Sequence, residues 1–175
     1  MKVVIIGGVA GGASAAARLR RLDEQAKIVL FERGEYISYA NCGLPYYVGG
    51  EISDKKALTL QTPESFKSRF RVDVRIRQEV IAIKAEEKRV TVKNLSSGMI
   101  YDEPYDKLIL SPGAEPSVPD LPGIDDPRIF TLRTIPDTYA IRNFIEEKKP
   151  ASAVIIGGGY IGLEMAENFV AAGLS

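Results

Sequence analysis

Hydrophobic and polar positions alternate between two periods along the chain. Val3 to Ile6 is a β-branched run, Gly7-Gly8-Val9-Ala10-Gly11-Gly12 interrupts it, and Ala13 to Leu22 is made of strong helix formers. That order predicts strand, tight turn and helix. Lys27 to Phe31 is a second continuous apolar run, closed by Glu32, and completes a βαβ unit of about 30 residues. On the first helix, at 100° per residue, Ser14, Arg18 and Arg21 fall within about 60° of one another, opposite Ala16, Leu19 and Leu22, which are expected to pack on the sheet. Thr62-Pro63-Glu64 opens a further helix, with Thr as N-cap and Pro in the first turn.

From residue 72 the pattern changes. Val72 to Ile76, Val80 to Lys84, Arg89 to Lys93 and Lys107 to Leu110 read as short strands, with turns at Glu86-Glu87-Lys88 and Ser96-Ser97-Gly98. A small antiparallel meander is expected there, with the chain rejoining the main sheet at Leu108-Ile109-Leu110. Between Pro112 and Pro127 lie five of the ten prolines, the mark of a stiff extended connector. Ile135 to Lys148 is expected to be helical. Ala153 to Ile156 is another apolar strand candidate, followed by Gly157-Gly158-Gly159-Tyr160-Ile161-Gly162 and a helix through Ala172. The βα pattern of the start therefore recurs near the end. The fold class is α/β, organised as residues 1–112, a connector and helix over 113–150, and a second βα unit over 151–175.

Composition narrows the function. The 175 residues carry 23 Lys and Arg against 23 Asp and Glu, so there is no basic footprint for nucleic acid. Lys2 followed by an apolar run and small residues has the outline of a secretory leader. The clustered glycines fit a strand–turn–helix better. No stretch reaches the roughly 18 apolar residues of a membrane span, so neither nucleic acid nor membrane is an expected partner. One cysteine excludes an internal disulfide and suits a reducing, cytoplasmic setting. With no His, the commonest acid–base group is missing, and no metal site is expected.

The glycine loops carry the first candidate chemistry. A GxGxxG loop between strand and helix lets backbone N–H groups reach a pyrophosphate, which rests on the positive end of the helix. Gly157, Gly159 and Gly162 fit it fully. The first loop fits with one departure: Gly7 and Gly12 hold the outer positions, Val9 takes the middle one, and Gly8 and Gly11 are additional. Glu32, 20 residues past Gly12, stands where an acid binds a ribose hydroxyl. A ligand-free tight turn would use the same glycines. Two such loops suggest two dinucleotides, a flavin and a nicotinamide.

Cys42, in Ser38-Tyr39-Ala40-Asn41-Cys42-Gly43-Leu44-Pro45, follows Glu32 by ten residues. At the start of a helix its thiolate would be favoured; as a buried side chain it would be structural. The stripe of Ser14, Arg18 and Arg21 is either a solvated face or an anion site, since guanidinium groups suit phosphate.

Taken together, GGVAGGASAAARLRRL, FERGEYISYANCGLPYYVGG, QEVIAI, YDKLILSPGAEP and VIIGGGYIGLEMAEN resemble the pyridine nucleotide-disulfide oxidoreductases. The match is to their single-cysteine branch and is nearest to the coenzyme A-disulfide reductases. The resemblance implies a Rossmann-like FAD-binding domain, with a parallel sheet and a small meander, and the start of a Rossmann-like NAD(P)-binding domain. It implies that these residues are the first part of a longer, homodimeric flavoprotein oxidoreductase. Gly7, Gly8, Val9, Ala10, Gly11 and Gly12 would hold the FAD pyrophosphate, and Glu32 with Arg33 the adenosine ribose. Val80 would meet the adenine, while Ser111, Gly113 and Asn41 would lie near the flavin. Gly157, Gly159, Tyr160, Ile161, Gly162 and Glu164 would serve NAD(P)H. Cys42 would be the redox cysteine, forming a mixed disulfide with coenzyme A, and Ser14, Arg18, Arg21, Ser38 and Asn41 would contact that coenzyme A. Tyr47 stands where two-cysteine relatives place a second Cys, and Ala10 where the peroxidase and oxidase branch places a His. The implied substrate is a small disulfide. A persulfide reductase, an NADH oxidase and a non-catalytic dinucleotide-binding fragment are the alternatives.

Overall fold

A computed structural model describes residues 1–175, and the chain divides into two compact units. One is Met1–Tyr39 with Thr59–Gly113; the other is Ala40–Leu58 with Ala114–Ser175.

In the first unit, β1 (Lys2–Ile6), β2 (Lys27–Phe31), β3 (Asp73–Arg75) and β7 (Lys107–Leu110) form a parallel sheet in the order β3-β2-β1-β7. Val3 to Ile6 pair with Ile28 to Phe31 on one side and with Lys107 to Leu110 on the other. Both faces of β1 and β2 are covered, which is why these strands read as unbroken apolar runs. Side chains alternate across the sheet. Val3, Ile5, Ile28 and Leu30 point toward helices α1 (Gly11–Leu22) and α3 (Pro63–Phe70), where they meet Ala13, Ala16 and Phe66. Val4, Val29 and Phe31 point the other way, onto Val90 and Val92. Those two valines belong to a second sheet, antiparallel, of β4 (Gln78–Lys84), β5 (Arg89–Asn94) and β6 (Ile100–Pro104).

Three sequence expectations change here. Val72 to Ile76 does not join the meander: Asp73–Arg75 pairs in parallel with Val29 to Phe31, because Val72 is wholly buried in the helix-side core and carries the segment into the main sheet. The third meander strand is instead β6, hidden in the sequence by Glu103, an acid on a buried position. On α1, Leu22 is exposed and Arg20 is buried. At 100° per residue Arg20 lies about 40° from Ala16, whereas Leu22 lies about 120° away.

The second unit packs α2 (Leu44–Gly49), α4 (Ile135–Lys148) and α5 (Tyr160–Ala171) around Val48, Ile141 and Met165. Gly49 lets α2 lie against Asn168: a Cβ there would stand 2.8 Å from the Cβ of Asn168. No helix or strand occurs between Leu110 and Ile135, as the prolines imply. Ala153 donates its N–H to Ser175 O at 3.0 Å, but Val154 to Ile156 have no strand partner among the 175 residues, and Val154 and Ile156 are exposed. A strand exists only through its neighbours' hydrogen bonds, so the apolar run alone does not make one. No helix is long and apolar enough to cross a membrane.

Candidate functional site

The first glycine loop is closed by three backbone contacts. Gly7 turns at φ +95° and donates its N–H to Phe31 O at 2.8 Å. A Cβ at Gly7 would overlap the Ser111 carbonyl, and one at Gly12 would overlap the Gly7 carbonyl. A Cβ at Gly8 would stand 2.7 Å from Ile37 Cγ2 and 2.9 Å from Leu30 Cδ2. The spacing of Gly7 and Gly12 is therefore a packing requirement: the start of α1 rides directly over the strand–loop junction. The missing middle glycine costs nothing visible, since Val9 is only half-buried. Helix α1 begins at Gly11 after Ala10, which offers no side-chain cap, so its first-turn N–H groups point into the loop mouth unmatched by a side chain.

Glu32 stands at the same mouth. Its Oε2 accepts from Gly8 N at 2.8 Å and its Oε1 from Gly34 N at 2.8 Å. Those two bonds orient the carboxylate and leave it further acceptor capacity for hydroxyl groups, because an ionised carboxylate takes about four hydrogen bonds. Ser38, at φ +45°, donates its N–H to Gly8 O at 2.9 Å, which brings it to this loop too. Ser111 donates its N–H to Ile6 O at 2.8 Å, and Gly113 turns at φ +75° beyond it. Val80 is half-buried against Val90 and Val92 at an irregularity in β4. The residues gathered here fit a dinucleotide: a loop whose glycines let the strand end and the helix start pack closely, an uncapped helix start and an oriented acid. Arg33 is exposed after Glu32. Ser14, Arg18 and Arg21 are exposed along α1, as their common angle implies.

Cys42, in the second unit, is exposed. It is the middle residue of a 3-10 turn, Asn41–Gly43, that runs directly into α2. The buried-structural reading of this thiol is thereby set aside. Beside it, Asn41 Oδ1 is buried with no hydrogen-bond partner. Tyr47, in α2, is buried edge-on to Tyr139 with ring centroids 5.5 Å apart. Burial, with Glu146 adding to it, raises the Tyr47 phenol above its ordinary value, so it remains a neutral hydroxyl. It offers no sulfur to pair with Cys42.

The second loop repeats the first locally. Gly157 turns at φ +114°, and a Cβ at Gly162 would overlap the Gly157 carbonyl. Gly159 caps α5 without a side chain, and Tyr160 and Ile161 are exposed at its start. Glu164 is half-buried one turn further on.

One residue escaped the sequence reading. Arg20 is buried on the apolar stripe of α1, where an arginine four residues from Ala16 is the signal that was available.

The family model for pyridine nucleotide-disulphide oxidoreductases matches residues 1–175. A coenzyme A disulfide reductase of Staphylococcus haemolyticus (strain JCSC1435) is 43% identical over 173 residues, covering 99% of this chain and 39% of the relative. The crystal structure of reduced Bacillus anthracis CoADR-RHD superposes with a TM-score of 0.97 at 55% identity, over 99% of this chain and 31% of that one. A NAD-dependent persulfide reductase from A. fulgidus superposes with a TM-score of 0.94 at 34% identity, over 99% of this chain and 33% of its own. The chain thus spans about 39% of the length of its curated relatives. With the family model covering every residue, this chain belongs to the pyridine nucleotide-disulphide oxidoreductase family.

Proposed function

We propose that these residues are the N-terminal portion of an NAD(P)H-dependent flavoprotein that reduces coenzyme A disulfide through Cys42. The observation that carries the reading is an exposed, unpaired thiol in a helical turn, in a chain with no second cysteine and a loop shaped for a pyrophosphate. Residues 1–112 contribute to the FAD-binding domain and 113–150 connect it to the first βα unit of a nicotinamide domain at 151–175. Gly7 to Gly12 and the start of α1 hold the FAD pyrophosphate, Glu32 and Arg33 the ribose, and Val80 the adenine; Ser111, Gly113 and Asn41 serve the flavin end. Gly157, Gly159, Gly162, Tyr160, Ile161 and Glu164 serve the nicotinamide dinucleotide. When bound, the flavin supplies the two electrons that NAD(P)H delivers.

The chain's own chemistry is thiol–disulfide exchange. The Cys42 thiolate attacks one sulfur of coenzyme A disulfide, its Sγ–S bond forms as the S–S bond breaks, and one coenzyme A thiolate leaves. Two electrons then cleave the mixed disulfide, restoring the Cys42 thiolate and releasing the second coenzyme A, which takes up a proton. Ser14, Arg18, Arg21, Ser38 and Asn41 bind and orient the coenzyme A. Tyr47 keeps the exchange intermolecular, because no resolving thiol lies beside Cys42. The setting is the reducing cytoplasm and the assembly a homodimer. The likeness to a persulfide reductase favours one second reading, in which coenzyme A persulfide or another small persulfide is the substrate reduced.

The test is the intact mass of the purified protein before and after a thiol reductant. A coenzyme A adduct released by reductant, and absent from Cys42→Ser, is the expected result. A bare mass that reductant leaves unchanged, even after incubation with coenzyme A disulfide, overturns the reading.

A further inference from the structure

We propose that Arg20 is a positioning residue that sets the phosphate-binding face of α1 by clamping the C-terminal ends of two helices together. Every N–H of its guanidinium is used, and every one goes to a backbone carbonyl. Nε donates to Phe70 O at 2.8 Å. Nη1 donates to Asp23 O at 3.1 Å and to Glu24 O at 2.7 Å. Nη2 donates to Ala26 O at 2.8 Å and to Arg71 O at 3.0 Å. Five donors are the whole inventory of an arginine, and the residue is only 8% exposed.

A buried cation is ordinarily matched by a carboxylate. Here its partners are backbone carbonyls, three at the C-terminal ends and caps of α3 and α1 (Phe70, Arg71, Asp23) and two in the turn beyond α1 (Glu24, Ala26). Phe70 is the last residue of α3 and Arg71 its left-handed cap, while Asp23 and Glu24 follow directly on α1. Unsatisfied carbonyls at helix C-termini carry partial negative charge, and one planar fork gathers both sets. The clamp lies within a single compact unit. It does not touch solvent enough to meet a ligand itself. Its neighbour Arg21 and the preceding Arg18 are both exposed on the same helix, about 100° and 160° around the axis from Arg20. Their direction is therefore fixed by how the end of α1 is held. The inference rests on the reading above, in which Ser14, Arg18 and Arg21 meet the phosphates of coenzyme A.

The experiment compares the wild-type protein with Arg20→Lys and Arg20→Gln, titrating coenzyme A by calorimetry and FAD by fluorescence. FAD is the internal control, since its pyrophosphate rests on the other end of the same helix. Lysine keeps the charge but has three donors for five carbonyls, so coenzyme A affinity is expected to fall by about tenfold in Arg20→Lys while FAD affinity holds. Glutamine, lacking the charge, is expected to lose more. Unchanged coenzyme A affinity in folded Arg20→Lys overturns the clamp while leaving the coenzyme A reading intact. A parallel loss of FAD and coenzyme A, or failure of both variants to fold, assigns Arg20 to stability alone and overturns it as well. No coenzyme A binding by the wild-type protein overturns the underlying reading, and the inference with it.

Discussion

At residue 12 there is no room for a methyl group. A Cβ there would run into the Gly7 carbonyl, whereas one at Gly158 would meet nothing within 4 Å. Gly12→Ala is expected to destabilise the first unit by about 1–3 kcal/mol, the usual cost of overpacking. FAD retention should fall with it, because the start of α1 must back away from the loop. Gly158→Ala is the matched control, expected to be near neutral, and thermal melts of the two variants decide the point. Such glycines are legible in a sequence because both partners of the contact lie five residues apart. Arg20 is the opposite case. Two of its five acceptors, Phe70 and Arg71, are 50 and 51 residues away. Nothing local announces them beyond an arginine placed on an apolar stripe.

Among the elements, the junction between the two sheets of the first unit is held by charge. Glu103 of β6 accepts from Arg75 of β3 at 2.6 Å and from Lys2 of β1, and Arg75 also bonds Asp73 and Tyr101. Burial alone would raise the Glu103 carboxyl, but hydrogen bonds from Lys2 and Arg75 outweigh it and hold the group below its ordinary value. The folded state thus binds this proton less tightly than the unfolded chain. Its stabilising contribution is complete above the unfolded glutamate value, about 4.3, and drains away as pH falls toward the lower folded value. Glu103→Gln is expected to cost about 1.5–3 kcal/mol near neutral pH, the range for hydrogen bonds to charged groups. It should also flatten the acid limb of the stability curve, which urea melts across that limb would show. An unaltered acid limb would remove Glu103 from the account. The same residue explains why β6 was not legible as a strand: an inward carboxylate breaks the apolar alternation, and only the cations from β1 and β3 make its burial tolerable. By contrast, α3 and α4 announce themselves, since Thr62 with Ser65 and Thr134 with Asp137 form capping boxes within four residues of chain.

For the molecule as a whole, the proposed cofactor should act as a stabiliser. A ligand that binds only the folded state adds about 2.7 kcal/mol at a hundredfold excess over its Kd. FAD is therefore expected to raise the melting temperature of the protein, and Glu32→Ala to lose most of that rise. A melt that FAD leaves in place would count against the first loop as its site. What the sequence determined by itself was short in range: two buried strands around a glycine turn, two capped helices, a proline-stiffened connector and a lone thiol. Each follows from residues within a turn or two of one another, where backbone sterics and hydrogen bonds act without help from the rest of the chain. Tertiary structure decided what the pattern leaves degenerate. An apolar run does not name its neighbour, so Asp73–Arg75 went to the parallel sheet and β6 completed the meander. Residues 40–58, with Cys42 among them, belong to the same compact unit as 114–175, more than 50 residues further along the chain. Partner choice over such separations is settled by burial and by the pairing of buried polar groups, and these exist only once the chain has folded.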